Sequence, residues 1–392
     1  MPSSPLHIRH LLWVSEGVDH TARHHMASVN PGLHRIRCTP GSVTITTFTR
    51  SARQRGRRYS RRPDVGRARS KMISICIPVY NFNVVDTVRR LLEQADRHNV
   101  EVEVVIFDDR SLSYYEETNR ALRDDPRVRY LPLIENMGRS RIRNCLADYA
   151  QGDWLLFMDC DMEPADASYL HRYEEQTHAQ VDVVCGGVDY GARPQAKANL
   201  LRWRAELRRK RAYERMQRIS LLAHVTTGNF LVRRETFQRV RFNENLQGYG
   251  QEDQLFSLEL ARMGARVTYI DNPMVHLGYE SNEEFLRKSE ESLVNQVCIW
   301  NANPNFHRQL FQVSPRLRAA VLLRRMRLWW VILLPFYFLQ GVLRRAVLRG
   351  DRWMGFFHFY QTGYLLMALR MSNLRPLLGR KARASFVQAN TA

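Results

Sequence analysis

The chain has 392 residues, with 59 Lys+Arg against 39 Asp+Glu for a formal net charge of +20, 44% apolar residues and 25% charged ones. That balance excludes a wholly disordered or collagen-like chain, and the length exceeds one small module. Residues 1–71 carry 14 basic and 3 acidic side chains, residues 315–392 carry 14 and 1, and the middle, 72–314, nets −4, so the ends rather than the middle should seek anionic surfaces.

Residues 1–71 read as a basic, disordered extension, with an Arg/Ser/Gly tract from Arg50 to Arg69 and no sustained period of 2 or 3.6. No secretory signal is visible, because Ser15, Glu16 and Gly17 break the apolar run. Cys38, Cys76, Cys145, Cys160, Cys185 and Cys298 lie far apart without a C-x-x-C pair, which fits a reducing cytosol. Folded texture begins at Met72. Strands are expected at Ile73–Val79, Val102–Phe107, Val128–Leu133 and Trp154–Met158, alternating with helical text such as Ser140–Ala150. That alternation predicts an α/β domain, 72–314, with a mostly parallel sheet whose strand ends face the ligand.

A long helix is expected over Ala196–Leu222, then strands at Thr226–Val232 and Val267–Ile270 and helices at Glu252–Met263 and Glu283–Asn301. The long helix is rich in arginine; part of this is i,i+4 support, and part suits a basic approach to an anionic membrane or a lipid-diphosphate acceptor. In residues 315–392, Leu328–Leu343 and Trp353–Leu369 are free of charge but shorter than the roughly 20 residues that span a bilayer. Flanking arginines and edge tryptophans predict helices lying at an anionic membrane surface, with a short spanning hairpin or plain packing as the other readings.

Three strand ends carry polar groups: Pro78-Val79-Tyr80-Asn81, Asp108-Asp109-Arg110-Ser111 and Asp159-Cys160-Asp161. In extended backbone Asp159 and Asp161 point the same way, and two hard oxygens suit Mg2+ or Mn2+ holding a diphosphate. Asn136-Met137-Gly138 opens a helix bearing Arg139, Arg141 and Arg143, a setting for a phosphate-bearing ligand. Gly248-Tyr249-Gly250-Gln251-Glu252-Asp253 places two acids at a helix N-terminus, a favourable place for carboxylates and for a general base. Solvated turns, exposed helix faces and simple capping are the bland readings of these motifs taken singly.

Taken in order, the motifs resemble family 2 glycosyltransferases of GT-A fold, over about Met72 to Tyr279. The resemblance implies that Pro78, Tyr80, Asn81, Asp108, Asp109, Asn136, Gly138, Arg143, Asp159, Gly228 and Asn229 contact a nucleotide-sugar donor, with Thr227 beside them. It further implies that Asp159 and Asp161, with His276, hold a divalent metal, Mn2+ or Mg2+, and that Asp253 is the base with Glu252 in support. Arg110 departs from the small residue common in the family. The expected enzyme is an inverting transferase using a nucleotide-diphosphate sugar, in this family most often a UDP-sugar, and a glycan or lipid-linked acceptor for cell-surface polysaccharide or glycoconjugate synthesis. It would sit on the cytoplasmic face of the cell membrane. A nucleic-acid-binding protein acting through its basic ends is the rival reading, opposed by the −4 middle and the scarcity of aromatic residues among the basic ones. A nucleotidyltransferase is the other; the missing G-x-G-x-x-G and P-loop signatures argue against dinucleotide and P-loop chemistry.

Overall fold

The structure, a computed structural model, describes residues 34–39, 42–47, 71–217, 225–246, 248–350 and 354–374. The Arg50–Arg69 tract, Trp353 and the last five residues of the expected 196–222 helix lie outside the described residues.

The first described elements correct the reading of the extension. β1 (His34–Thr39) and β2 (Ser42–Thr47) form an antiparallel hairpin with His34 opposite Thr47 and Thr39 opposite Ser42. Apolar Ile36, Cys38, Val43 and Ile45 alternate with Arg or Thr around Pro40-Gly41, a short period-2 pattern with a turn dipeptide. The cysteines also depart in part from the reduced expectation. Cys76, Cys160, Cys185 and Cys298 are free, whereas Cys145 is disulfide-bonded.

The main domain begins with β3 (Ile73–Val79), α1 (Val85–His98), β4 (Val102–Asp108), α2 (Ser113–Arg120), β5 (Val128–Pro132), α3 (Arg139–Tyr149) and β6 (Trp154–Met158). It continues through β7 (Met162–Pro164), α4 (Tyr169–Gln176), β8 (Val183–Cys185), β9 (Val188–Asp189), α5 (Leu200–Gln217), β10 (Asn229–Arg233), α6 (Arg234–Arg239) and α7 (Glu252–Met263). β11 (Val267–Tyr269), β12 (Met274–His276) and α8 (Asn282–Ala302) complete it. Seven strands run in the order β11-β8-β10-β6-β3-β4-β5, all parallel to their neighbours except β10, which is antiparallel to both β6 and β8.

β3 and β4 are apolar almost throughout because helices cover both faces of the sheet. Ile73, Ile75 and Ile77 pack with Val88, Leu91 and Ala95 of α1, whereas Cys76, Val105 and Phe107 pack with Ile142 and Leu146 of α3. The period of two sends successive residues to opposite layers. A second sheet, β7-β12-β9, pairs His276 with Met162 and thereby draws the end of β12 up to the loop after β6.

Beyond α8 come α9 (His307–Val313), α10 (Pro315–Arg325), α11 (Trp330–Leu348) and α12 (Met354–Leu374). Position 314 does not separate two cores. Leu255 and Leu258 of α7 share one apolar cluster with Val297 of α8, Leu317 and Val321 of α10, and Leu365 and Leu369 of α12. The second apolar run, expected at a membrane surface, is thus mostly buried against protein; composition cannot distinguish a neighbouring helix from lipid. α11 differs, because Trp330, Leu334, Tyr337, Val342 and Phe338, the last 77% exposed, face outward. Among the described residues it is the one helix long and apolar enough to cross a membrane, judged by length and composition.

Candidate active site

The site forms where β3, β4 and β6 end. Tyr80 stands 56% exposed just past β3, an open aromatic face beside half-buried Pro78. Asn81 is left-handed at φ 50°; its N–H donates to Ser111 Oγ (2.7 Å) and its Oδ1 accepts from Leu112 N (2.9 Å), tying the first two strand-end loops together. Arg110, exposed, also has a positive φ of 67°.

The two neighbouring aspartates are held differently. Asp108 is fully buried, accepting from Tyr130 Oη (2.5 Å) and Ser111 N (2.7 Å). These bonds shape the loop from below. Asp109 accepts from Met137 N (2.5 Å) and Gly138 N (3.1 Å), so its carboxylate folds the Asn136-Met137-Gly138 loop onto the end of β4. Burial pushes the Asp109 carboxyl up to about 6 against the pull of those two N–H groups. Exposed Asn136 donates to Asp109 O (3.1 Å), and Gly138, at φ 73°, makes the sharp entry into α3.

Arg143, one turn into α3, is only 2% exposed and pairs with Asp159 Oδ1. The structure therefore places it beneath Asp159 rather than on the cleft wall. Arg139, one turn earlier, bridges the other elements: Nε lies 2.6 Å from Glu252 Oε1, Nη2 lies 3.9 Å from Asp159 Oδ2, and the guanidinium sits 5.0 Å from the Tyr249 ring centroid. The end of β6 and the start of α7 are thus linked through one side chain. Gly228 closes over Asp159, with its carbonyl accepting from Asp159 N (3.3 Å); a Cβ there would stand 3.2 Å from Asp159 Oδ2 and 2.6 Å from Met162 Cε.

Asn229, the expected donor contact next to Gly228, is held by the fold itself. It is fully buried, its Oδ1 accepts from Tyr169 Oη (2.8 Å) and Tyr173 Oη (2.6 Å), and its Nδ2 donates to Gly187 O (2.7 Å) and Asn272 O (2.9 Å). With every polar site engaged it is a structural tie.

Asp161 and His276 meet across the two sheets, with Asp161 Oδ2 3.2 Å from His276 Nε2. His276 Nδ1 lies 2.8 Å from the Gly278 carbonyl, which can only accept, so Nδ1 carries the proton. Nε2 faces both the accepting Asp161 Oδ2 and the donor Arg202 Nη2, 2.9 Å away. A carboxylate oxygen beside an imidazole held through its other nitrogen fits Mn2+ or Mg2+. Among the described residues no group of three His, Cys, Asp or Glu side chains is already gathered to hold a metal ion.

Glu252 and Asp253 open α7 after Gln251, which caps it at φ 75°. Asp253 Oδ2 lies 3.2 Å from Arg209 Nη2 on α5. Asp159, Gly228, His276, Glu252 and Asp253 all line one cavity of about 760 Å3. Arg202, Arg209 and Tyr249 also belong to this wall, a placement that sequence reasoning missed. The arginines sit within a generally basic helix, and nothing in the spacing marks which of them turn inward.

Residues 74–241 match the family described as glycosyl transferase family 2. No curated protein matches the sequence. Among solved structures, the mannosyltransferase PcManGT from Pyrobaculum calidifontis in complex with GDP-Man and Mn2+ is 16% identical, covering 78% of this chain and 87% of its own at a TM-score of 0.51. S. aureus TarS 1-349 is 19% identical over 82% of this chain and 89% of its own, with a TM-score of 0.40. Glucosyl-3-phosphoglycerate synthase from Mycobacterium tuberculosis is 16% identical over 58% and 78%, with a TM-score of 0.41. The first likeness is one of fold, and the other two are too loose to build on. Residues 74–241 belong to glycosyl transferase family 2, and the chain is a glycosyltransferase with a GT-A-type fold.

Proposed function

We propose that the enzyme moves a sugar from a nucleotide-diphosphate sugar to a hydroxyl of a glycan or lipid-linked acceptor, with inversion and with Mn2+ or Mg2+, in cell-surface polysaccharide or glycoconjugate synthesis. The observation that carries this reading is the single cavity in which Arg139 links Asp159 to Glu252, with Asp253 and His276 on the same wall. PcManGT, of similar fold, binds GDP-Man and Mn2+, which supports the donor class and the metal.

In this reading Tyr80, Pro78 and the loop folded by Asp109 receive the nucleoside, and Asp159, braced by Arg143, faces the donor. Asp161 and His276 would hold the metal, which when bound neutralises charge on the departing diphosphate. Asp253 accepts the acceptor hydroxyl proton as that oxygen attacks the anomeric carbon and the bond to the diphosphate oxygen breaks. Glu252 holds Arg139 in place.

The test is nucleoside-diphosphate release from a panel of nucleotide sugars with Mn2+. Release should require metal, and Asp161→Ala should lower it about 100-fold, in the range for groups that set a metal site. Equal release in chelator, or by the variant, would overturn the assignment.

The reading also places the enzyme on the cytoplasmic face of the membrane, with the outer face of α11 seated at the anionic lipid surface. Its exposed apolar row is followed by Arg344 and Arg345 and preceded by Arg324, Arg325 and Arg327. Full-length protein should sediment with vesicles containing about one-third anionic lipid, and Tyr337→Asp with Phe338→Asp should cut the bound fraction at least about fivefold. Undiminished sedimentation of that double variant would remove α11 from the contact.

A further inference from the structure

Arg208 of α5, Arg316 of α10 and His358 of α12 come together on the wall of the cavity that also holds Asp253. Arg316 Nη1 lies 3.0 Å from His358 Nδ1, and Arg208 Nη1 lies 3.5 Å from His358 Nε2. A neutral imidazole offers one lone pair, yet both of its nitrogens face guanidinium donors, so one of the two approaches sets donor against donor. Burial and the Arg316 guanidinium hold the imidazole below its ordinary range. Among the described residues, no carboxylate forms an ion pair with Arg208 or Arg316. Arg209, next to Arg208, is turned to Asp253 and adds its charge near Arg316.

Three segments, with Arg208 lying 150 residues and Arg316 42 residues from His358 in the chain, thus bring two guanidinium groups and an imidazole together, an arrangement that costs energy alone and becomes favourable around an anion. A phosphate suits it better than a carboxylate, since tetrahedral oxygens can meet donors from three helices while a planar carboxylate cannot.

Resting on the transferase reading, we propose that Arg208, Arg316 and His358 bind a phosphate group of the acceptor, fixing it while its hydroxyl reaches Asp253. The acceptor class is then a phosphate ester bearing a free hydroxyl, supplied either by a lipid phosphate or by a soluble one.

The test titrates hexyl phosphate, glycerol 3-phosphate, hexanol and glycerol into the full-length protein, with and without saturating nucleoside diphosphate and Mn2+. At least one phosphate should bind tenfold or more tightly than its neutral counterpart, and the double variant Arg208→Gln with Arg316→Gln should lose that margin. The Arg208→Lys with Arg316→Lys pair should keep most of it, which separates lost charge from lost folding. Preference for hexyl phosphate assigns a lipid source, and equal binding of both phosphates a soluble one. No phosphate preference in the wild type, or an unchanged preference in the glutamine variant, overturns the proposal. Nucleotide binding is measured in parallel: nucleotide bound without phosphate preference defeats this inference alone, whereas no nucleotide binding defeats the transferase reading.

Discussion

Asp253→Asn should lower turnover by about 10²–10⁴-fold, the usual contribution of a positioned general base, with nucleotide affinity changed less than about twofold. Asparagine keeps the shape at the start of α7 and can still meet Arg209, but its amide cannot take a proton from the attacking hydroxyl. The effect should therefore appear in kcat and in kcat/KM together, the signature of an interaction made in the transition state. Glu252→Gln is the necessary comparison. Glu252 is buried and bound to Arg139, so its replacement should disturb donor alignment as well as rate. If Asp253→Asn retains wild-type turnover while Glu252→Gln abolishes it, the base is Glu252 and the assignment here is wrong.

Asn229→Ala should destabilise the fold by about 3 kcal/mol, since it removes four buried hydrogen bonds, which Met274 replaces only in part at Tyr169 Oη and Gly187 O, and each buried unsatisfied polar group costs about 1–3 kcal/mol before relaxation. Asn229 joins β10 to α4 and to the loop around Gly187, so the loss should register as a lower urea midpoint with the slope unchanged. A wild-type midpoint accompanied by weakened nucleotide-sugar binding would instead return Asn229 to the donor-contacting set. The neighbouring Gly228 offers a contrast, because its Cα faces Asp159 and Met162.

These two positions show what was legible in the sequence and what was not. The strand ends at Asp109, Asp159 and Asp161 could be read because apolar β-branched runs announce buried strands and their limits. Which residue of a motif faces the cleft could not, since adjacent positions leave a strand end in different directions. Asp108 and Asp109 carry the same side chain; one is sealed under Tyr130 and the other reaches the Met137 loop. The same limit applies to the two apolar runs near the C-terminus. α11 and α12 have similar composition, and only the presence of α8 and α10 against α12 separates a packed helix from one that faces outward. The meeting of Arg208, Arg316 and His358 leaves no trace in local spacing, because it is made by tertiary packing alone.

The cluster shared by α7, α10 and α12 bears on how the protein can be handled. Ending the chain at 314 would strip Leu317, Val321, Leu365 and Leu369 from the cluster around Leu255 and Leu258 of α7 and leave that side of the helix that carries Asp253 at its tip resting mainly on α8. Polar substitutions on the exposed side of α11 are better made while leaving its inward Phe336, Leu343 and Val347 untouched, because that exposed row and the helix bearing Asp253 are two sides of one packed body.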